Sequence, residues 1–347
     1  MPLIADLAVF LFGVAAVVWV WISVVRTVVL PRPERVWLTA TSFEAARRIT
    51  LFLARRTNPE RAHRLLAAFA PTVLILLPLL WSIGLVGAFT ALYWASTDGS
   101  LAESFDLSFS SLTTLGFVAP PNRFSRTLAS TEALMGLAII ALMISFLPTL
   151  YSTFSRREIA VGRLIIRAGS PPKPVEFITR LSAIDQLDHL GEQWEAWEDW
   201  FVELEETHTT FPALIYFRSS SPERSWLAAA EMALDTAAVV TAAGLVEGNG
   251  QSETMLRSGY LALRSIADFY RVEPESTDSA ALSVQRSDLD KMLDDLAAAG
   301  LQFSTDRDTI WEAFAGWRVN YDKAIVGLRG MIVDSPSHWH NGSGNDR

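Results

Sequence analysis

The stretch from Leu65 to Thr97 reads LLAAFAPTVLILLPLLWSIGLVGAFTALYWAST and contains no charged residue between Arg64 and Asp98. About 20 apolar residues of α-helix cross the hydrocarbon core of a bilayer, so this run is longer than one perpendicular crossing needs. Two further uncharged runs, Leu7–Val25 and Ala133–Ser155, are also long enough to span. The sequence therefore predicts an all-α membrane protein with three transmembrane helices.

The composition narrows the class of protein further. Half of the 347 residues are apolar, cysteine is absent, and the net charge is −9. The absence of cysteine excludes disulfides, thiol catalysis and thiolate metal sites. An acidic total without a basic stripe gives no support for nucleic-acid binding. No phosphate-binding glycine motif or catalytic-triad spacing occurs, so we expect neither an enzyme nor a bound cofactor.

Loop charges predict the orientation of the spans. The loop between the first two spans is rich in arginine, and further arginines follow the third span. The only basic residues in the loop from Asp98 to Ser130 are Arg123 and Arg126. The positive-inside rule then places the N-terminus and this loop outside and the C-terminal half in the cytoplasm. We expect a multi-pass protein of the plasma (inner) membrane. Three buried core helices of a soluble protein are the alternative, which the uncharged runs disfavour.

The arginine-rich stretch Ala45–Arg64 lies in the first cytoplasmic loop. Its arginines alternate with apolar residues, which predicts one amphipathic helix able to rest on anionic lipid headgroups. The arginines are paired and lie outside the spans, so they do not form a voltage sensor. The topology signal alone is the alternative explanation for them.

The outside segment Glu103–Pro121 has an unusual pattern for a loop. A semi-apolar stretch, Phe105–Thr113, predicts about two turns of helix, and an extended Thr-Leu-Gly-Phe sequence follows it. Backbone of this kind is tolerated at membrane depth only where it is buried in protein or lines a water-filled path. The pattern predicts a re-entrant pore loop, and an ordinary extracellular loop is the alternative.

The segment Pro71–Glu158 resembles the two-transmembrane pore module of the potassium-channel family. It contains a span, a short helix, Thr-Thr-Leu-Gly-Phe and a second span that ends in Arg-Arg-Glu. The resemblance implies that Thr114, Leu115, Gly116 and Phe117 form the first four positions of the ion filter and that Val118 takes the next position. Carbonyl groups of such a filter replace the hydration shell of potassium, and four chains surround one pore as a homotetramer. No cofactor is implied beyond the permeant cation.

The outer end of the segment departs from the family pattern, which has Gly-Asp where this chain has Val118-Ala119. Gly116 suits the positive φ that the filter requires at that residue. Val118 stands where the family has a second glycine, and a positive φ at a valine costs about 1–2 kcal/mol of conformational energy. We therefore expect intact inner ion sites, a distorted or wider outer vestibule, and Leu115 and Phe117 packed against the pore helix. A weakly selective cation channel and a non-conducting membrane scaffold or sensor remain alternatives.

Two residues of the third span are candidates for gating. The glycine hinge implied by the resemblance is absent at Ile139–Ala141, but Gly136 lies one turn earlier. Pro148 removes a backbone hydrogen bond and predicts a kink near the cytoplasmic end. A proline merely tolerated in a transmembrane helix is the alternative.

The C-terminal half changes in composition to acidic helical stretches separated by turns. Helices are predicted at Gln193–His208, Ser225–Gly244, Glu253–Arg271, Asp288–Ala299 and Asp308–Ile332, and Ala213–Phe217 is the best strand candidate. The predicted order is an N-terminal transmembrane helix (1–30), a basic linker (31–65), the pore domain (66–158, with the pore loop at 103–121), a mainly α-helical cytoplasmic domain (159–335) and a disordered tail (336–347).

The cytoplasmic domain is expected to assemble or regulate the tetramer, and its regulatory ligand or protein partner is unknown. Trp194, Trp197 and Trp200 follow a three-residue spacing that favours a packed core over a ligand cage. His189 and His208 lack the spaced partners of a metal site, so no metal is expected.

Overall fold

The computed structural model describes residues 3–30, 37–219, 221–246, 250–272, 282–332 and 337–339. Within these ranges every regular element is helical, and none is a strand. The α-helices are α1 (Leu3–Val28), α2 (Trp37–Ala54), α3 (Pro59–Ser96), α4 (Leu101–Leu112), α5 (Arg123–Ala168), α6 (Pro174–Ala183), α7 (Leu190–Thr210), α8 (Trp226–Ala242), α9 (Gly250–Phe269), α10 (Arg286–Ala298), α11 (Arg307–Arg318) and α12 (Asp322–Ile332).

The chain divides into two compact units, Met1–Ser152 and Thr153–Arg347, and the division falls inside α5. In the first unit α3 packs against α1, α2 and α4. The indole nitrogen of Trp81 donates a hydrogen bond to the hydroxyl of Ser23 at 3.2 Å, which joins α3 to α1 in a buried contact.

Three helices of the described chain are long and apolar enough to cross a membrane, at Ile4–Val28, Glu60–Ser96 and Arg123–Ala168. Their outer faces carry exposed large aliphatic side chains, among them Ile83 (68 % exposed) and Ile144 (69 % exposed). Lipid can cover such faces, whereas water cannot do so without cost. The protein thus has the helices of a membrane protein.

The arginine-rich stretch Ala45–Arg64 forms two helices and not the single helix that its pattern predicts. Helix α2 ends at Ala54, and α3 begins at Pro59, where a proline suits the first helical turn. The rings of Phe43 and Phe69 meet edge to face at 6.0 Å between centroids, which packs α2 back against α3. The intervening turn allows this antiparallel contact, and one continuous helix would prevent it.

The second unit is built around α8, which is buried along almost its whole length. Helix α8 contacts α6, α9, α11 and α12, and α7 packs against α9. The hydroxyl of Ser225 caps its first turn by accepting hydrogen bonds from the amides of Leu227 and Ala228. Trp194, Trp197 and Trp200 are all buried in the same core, as the core interpretation of their spacing predicts.

Two predictions for the second unit are wrong. Residues Ala213–Phe217 belong largely to a 3₁₀-helix, Pro212–Tyr216, and not to a strand. The predicted helix Asp308–Ile332 is broken between α11 and α12, because the side-chain amide of Asn320 donates to the carbonyl groups of Gly316 and Trp317 and ends α11.

The predicted disordered tail is also wrong in part. Residues Ser337–Trp339 are described, and the side chains of Ser337 and Trp339 are buried against the second unit. The rest of 336–347 lies outside the described residues. The composition of the tail gave no sign of this contact, because its partners come from α8 and α11, far away in the sequence.

Candidate functional site: the segment between α4 and α5

Helix α4 begins four residues earlier than the apolar pattern predicts, because Ser100 and Glu103 form a capping box. The hydroxyl of Ser100 accepts from the amide of Glu103 at 3.2 Å, and the Glu103 carboxylate accepts from the amide of Ser100 at 2.7 Å. This spacing of serine and glutamate is a recognised start signal and was present in the sequence. The capping box therefore fixes where α4 starts.

The sign of the backbone φ angle alternates along the segment that follows α4. Thr114 has a φ of 59° and Gly116 a φ of 68°, whereas Leu115 and Phe117 are not among the residues with positive φ. The positive φ expected at Gly116 is therefore present, and a second one occurs at Thr114. Positive φ is rare for residues other than glycine, so Thr114 marks local strain of the kind that clusters at functional sites.

Ser110 holds this segment against its own helix. The amide of Gly116 donates to the Ser110 carbonyl at 3.3 Å, and the amide of Val118 donates to the Ser110 hydroxyl at 3.2 Å. Ser110 is buried, so both contacts are shielded from water. Val118 avoids positive φ, in agreement with the expectation that it does not adopt the conformation of the family's second glycine.

The side chains of Leu115 and Phe117 are 67 % and 59 % exposed. The prediction that they pack against the pore helix is therefore wrong for this chain. Within the described part of the chain, more than half of the surface of each of these two large apolar side chains is therefore uncovered. Thr114 and Gly116 are exposed as well.

Glu132 of α5 ties three helices together behind this segment. Its carboxyl group accepts from the hydroxyl of Ser108 on α4 at 2.5 Å and from the hydroxyl of Tyr93 on α3 at 3.0 Å. All three side chains are fully buried. An ionisable residue buried at such a position in a membrane protein is a functional candidate by default. In the sequence Glu132 marks only the edge of the third span, and its partners are known only from the fold.

Gly136 has a packing role that its sequence position did not reveal. A Cβ at this residue would lie 2.6 Å from the carbonyl oxygen of Leu112, the last residue of α4. Only glycine lets α5 approach the end of α4 this closely. Close packing against α4 thus explains why residue 136 is a glycine without any hinge motion. Pro148 lies inside α5, which continues as one helix to Ala168.

A cleft of about 960 Å³ opens beside the outer end of the segment. Val118 and Ala119 line it together with the acidic residues Asp6, Asp98 and Glu103. The acidic lining gives this cleft a negative potential that favours cations.

The histidines considered as metal ligands do not meet. His189 is exposed, whereas His208 is buried and accepts a hydrogen bond from Arg157 at 3.3 Å through Nε2. Burial and the charge of Arg157 lower the pKa of His208 to about 3, so its ring is neutral at pH 7.

One group of three potential ligands does come together in the described chain: Glu231, Asp235 and His338 lie with their ligand atoms within 4.8 Å of one another. Arg318 and Arg329 already donate to these two carboxylates. Two guanidinium groups at hydrogen-bond distance repel a divalent cation, so the residues present do not fit a metal site.

Comparison with known proteins gives no relative: no protein-family model, no curated protein and no solved structure matches this chain.

Proposed function

We propose that this chain is one subunit of a tetrameric cation channel of the potassium-channel type, in which ions pass along the backbone of Thr114, Leu115, Gly116 and Phe117. The N-terminus and the loop between α3 and α5 face outside the plasma (inner) membrane, and the second unit lies in the cytoplasm. The protein acts as a pore and not as an enzyme.

The alternation of φ in Thr114–Phe117 is the observation that carries the proposal. A regular β-strand points successive carbonyl groups in opposite directions, which leaves every other one unable to face a common axis. Thr114 and Gly116 have positive φ and so depart from a regular strand; in the proposed pore this departure turns the carbonyl groups of the segment toward one axis. Carbonyl oxygens that face one path are what a dehydrated monovalent cation needs.

The exposure of Leu115 and Phe117 supports assembly from several chains. One chain supplies a single strand, and a ring of carbonyl groups around an ion needs several copies related by rotation. Neighbouring subunits would then cover the two side chains that a single chain leaves exposed.

Potassium is the proposed permeant ion, and a weakly selective cation channel is the second candidate. Val118-Ala119 favours the second candidate, because Val118 is held by Ser110 in a conformation without positive φ. Outer ion sites built on the family's Gly-Asp are then absent, and fewer sites in series discriminate less between potassium and sodium.

Recordings from purified protein in planar bilayers test the proposal. In a potassium gradient opposed by a sodium gradient, the current through a selective pore reverses near the potassium equilibrium potential. The current through a weakly selective pore reverses near zero. A purified, tetrameric and silent protein would contradict the proposal and support a non-conducting scaffold or sensor.

Gly116→Trp is the decisive variant, because a bulky side chain at this residue closes a pore lined by the segment. Gly316→Trp is the matched control, since a Cβ at Gly316 meets only open space in the second unit. We expect loss of current for Gly116→Trp alone, with both variants assembled to the same size. Full conductance in Gly116→Trp would place the ion path elsewhere.

A further inference from the structure

The cleft beside the outer end of the Thr114–Phe117 segment has features that the pore proposal does not use. It lies within the first unit and has a volume of about 960 Å³. Cavities of about 300–1,000 Å³ typically hold small organic molecules. Three carboxylates line the cleft from different elements: Asp6 on α1, Asp98 between α3 and α4, and Glu103 on α4. The cleft therefore has both the room and the charge for an organic cation.

The three carboxylates are not neutralised inside the cleft. None of the described residues that line it is basic. Asp6 and Asp98 form no hydrogen bond or ion pair with any residue in the described ranges. Glu103 accepts from Ser100 through Oε2, which leaves Oε1 without a hydrogen-bond partner in the described chain. A group of uncompensated negative charges attracts a ligand that carries several positive charges.

Ser104 adds an unpaired hydroxyl group to the lining of the cleft. The residue is 3 % exposed, and its Oγ forms no hydrogen bond with any described residue. The other hydroxyl side chains of the lining, Ser96 and Thr97, each donate to a backbone carbonyl group one turn earlier in α3. The hydroxyl of Ser104 makes no such bond. A buried hydroxyl that is left unpaired is unfavourable unless a ligand or a water molecule completes it.

A bare metal ion does not suit this lining. In the described chain, only Glu231, Asp235 and His338 bring three potential ligand atoms within 4.8 Å of one another, so the carboxylates of the cleft are more widely spread. A calcium ion needs about six to eight oxygen ligands in one shell. Ammonium groups spaced along a flexible chain can instead reach separated carboxylates one at a time.

Trp94 and Leu107 give the cleft apolar contact surface as well. The face of an indole ring attracts ammonium groups. Methylene groups are also transferred favourably from water to apolar surroundings. The lining thus offers contacts to both parts of a molecule that alternates charged nitrogen atoms with short alkyl chains.

We propose that this cleft is a binding site for an organic polyamine. Its ammonium groups pair with the three carboxylates, and one of them donates a hydrogen bond to the hydroxyl of Ser104. Val118 and Ala119 line the same cleft, so the bound ligand lies beside the outer end of the Thr114–Phe117 segment. Binding requires only the folded first unit and does not depend on conduction.

Calorimetric titration of spermidine into the full-length protein tests the site. The protein is held in nanodiscs of zwitterionic phosphatidylcholine, because an anionic lipid surface would itself attract the probe. We expect saturable binding of one spermidine per chain. Asp6→Asn and Asp98→Asn each remove one charge and are expected to weaken binding about five-fold, the upper end of what one exposed ion pair contributes. Asp106→Asn is the matched control, because Asp106 is exposed on α4 but does not line the cleft.

Ser104→Ala separates the hydroxyl group from the charges. We expect weaker spermidine binding together with an unchanged or higher thermal unfolding midpoint, since the hydroxyl has no described partner to lose in the free protein. The same midpoints show whether the two aspartate variants fold. Unchanged affinity in Ser104→Ala would contradict the proposed contact and overturn the proposal.

The remaining outcomes also decide the question. Absence of saturable binding to the wild type, or equal affinities in the wild type and both aspartate variants, would overturn the proposal. Calcium that binds more tightly than spermidine and is lost in the same variants would overturn it in favour of a metal site. A protein that binds spermidine at this cleft without conducting would support this inference and contradict the channel alone.

Discussion

The hydroxyl of Ser108 donates a hydrogen bond of 2.5 Å to the buried carboxyl group of Glu132, and thereby joins α4 to α5 just behind the Thr114–Phe117 segment. Tyr93 donates to the same carboxyl group from α3. One side chain thus fixes the short helix against both flanking spans. The proposed backbone path for ions requires that its supporting helix is held in place, and substitution of Glu132 tests this contact directly.

Replacing Glu132 by alanine is expected to loosen the segment, because the hydroxyl of Tyr93 loses this buried acceptor and the hydroxyl of Ser108 keeps only the Val86 carbonyl, 3.1 Å away. Each unsatisfied buried group costs about 1–3 kcal/mol. Glu132→Gln keeps an acceptor and is expected to cost less. The measurements are the thermal stability of the purified protein and, if it conducts as proposed, the reversal potential of its current. Equal stability of wild type and Glu132→Ala would rule out this role.

Gly136→Ala is expected to push α5 away from the end of α4, since its Cβ would lie 2.6 Å from the Leu112 carbonyl oxygen. Overpacking of this kind costs about 1–3 kcal/mol. Gly87→Ala is the matched control, because a Cβ there meets open space on α3. We expect reduced current and lower stability only in Gly136→Ala. If Gly136 instead acted as a hinge, gating would change while stability stayed the same.

Arg318→Ala is expected to destabilise the second unit by about 3–5 kcal/mol, because it leaves two buried carboxylates on α8 without their shared cation. Arg307→Ala is the matched control: Arg307 forms ion pairs with Asp290 and Asp294 that are largely exposed, and such pairs contribute about 0–1 kcal/mol. Denaturant unfolding followed by tryptophan fluorescence measures both. Similar losses for the two variants would contradict the importance of burial.

His208 predicts a pH dependence of stability with a definite sign. Its pKa in the folded protein is about 3, below the value of about 6.5 in an unfolded chain. The unfolded state therefore binds more protons below pH 6.5, and stability falls as the pH drops, by at most about 1.4 kcal/mol per pH unit from this one group. Unfolding midpoints at pH 7.5 and 5.5 measure the slope. His208→Gln cannot titrate, so its slope should be shallower; identical slopes would exclude His208 as the cause.

The membrane helices are the part of the fold that the sequence determined. Their apolar runs carry no charges over lengths that fit a bilayer, and that pattern depends only on local composition. The position of the Thr114–Phe117 segment between α4 and α5 follows from the same pattern. Helix boundaries were less accurate where side chains set them, as at Asn320, which separates α11 from α12.

Tertiary structure alone decided which residues meet. Glu132, Ser108 and Tyr93 come from three helices, and neither their types nor their spacing indicates a contact. The same holds for Asp235 and Trp339, which are 104 residues apart in the chain. An apolar pattern can be interpreted from the sequence because it involves only the residues of one helix. A buried polar group instead needs a hydrogen-bond partner, and only the packed fold can supply that partner.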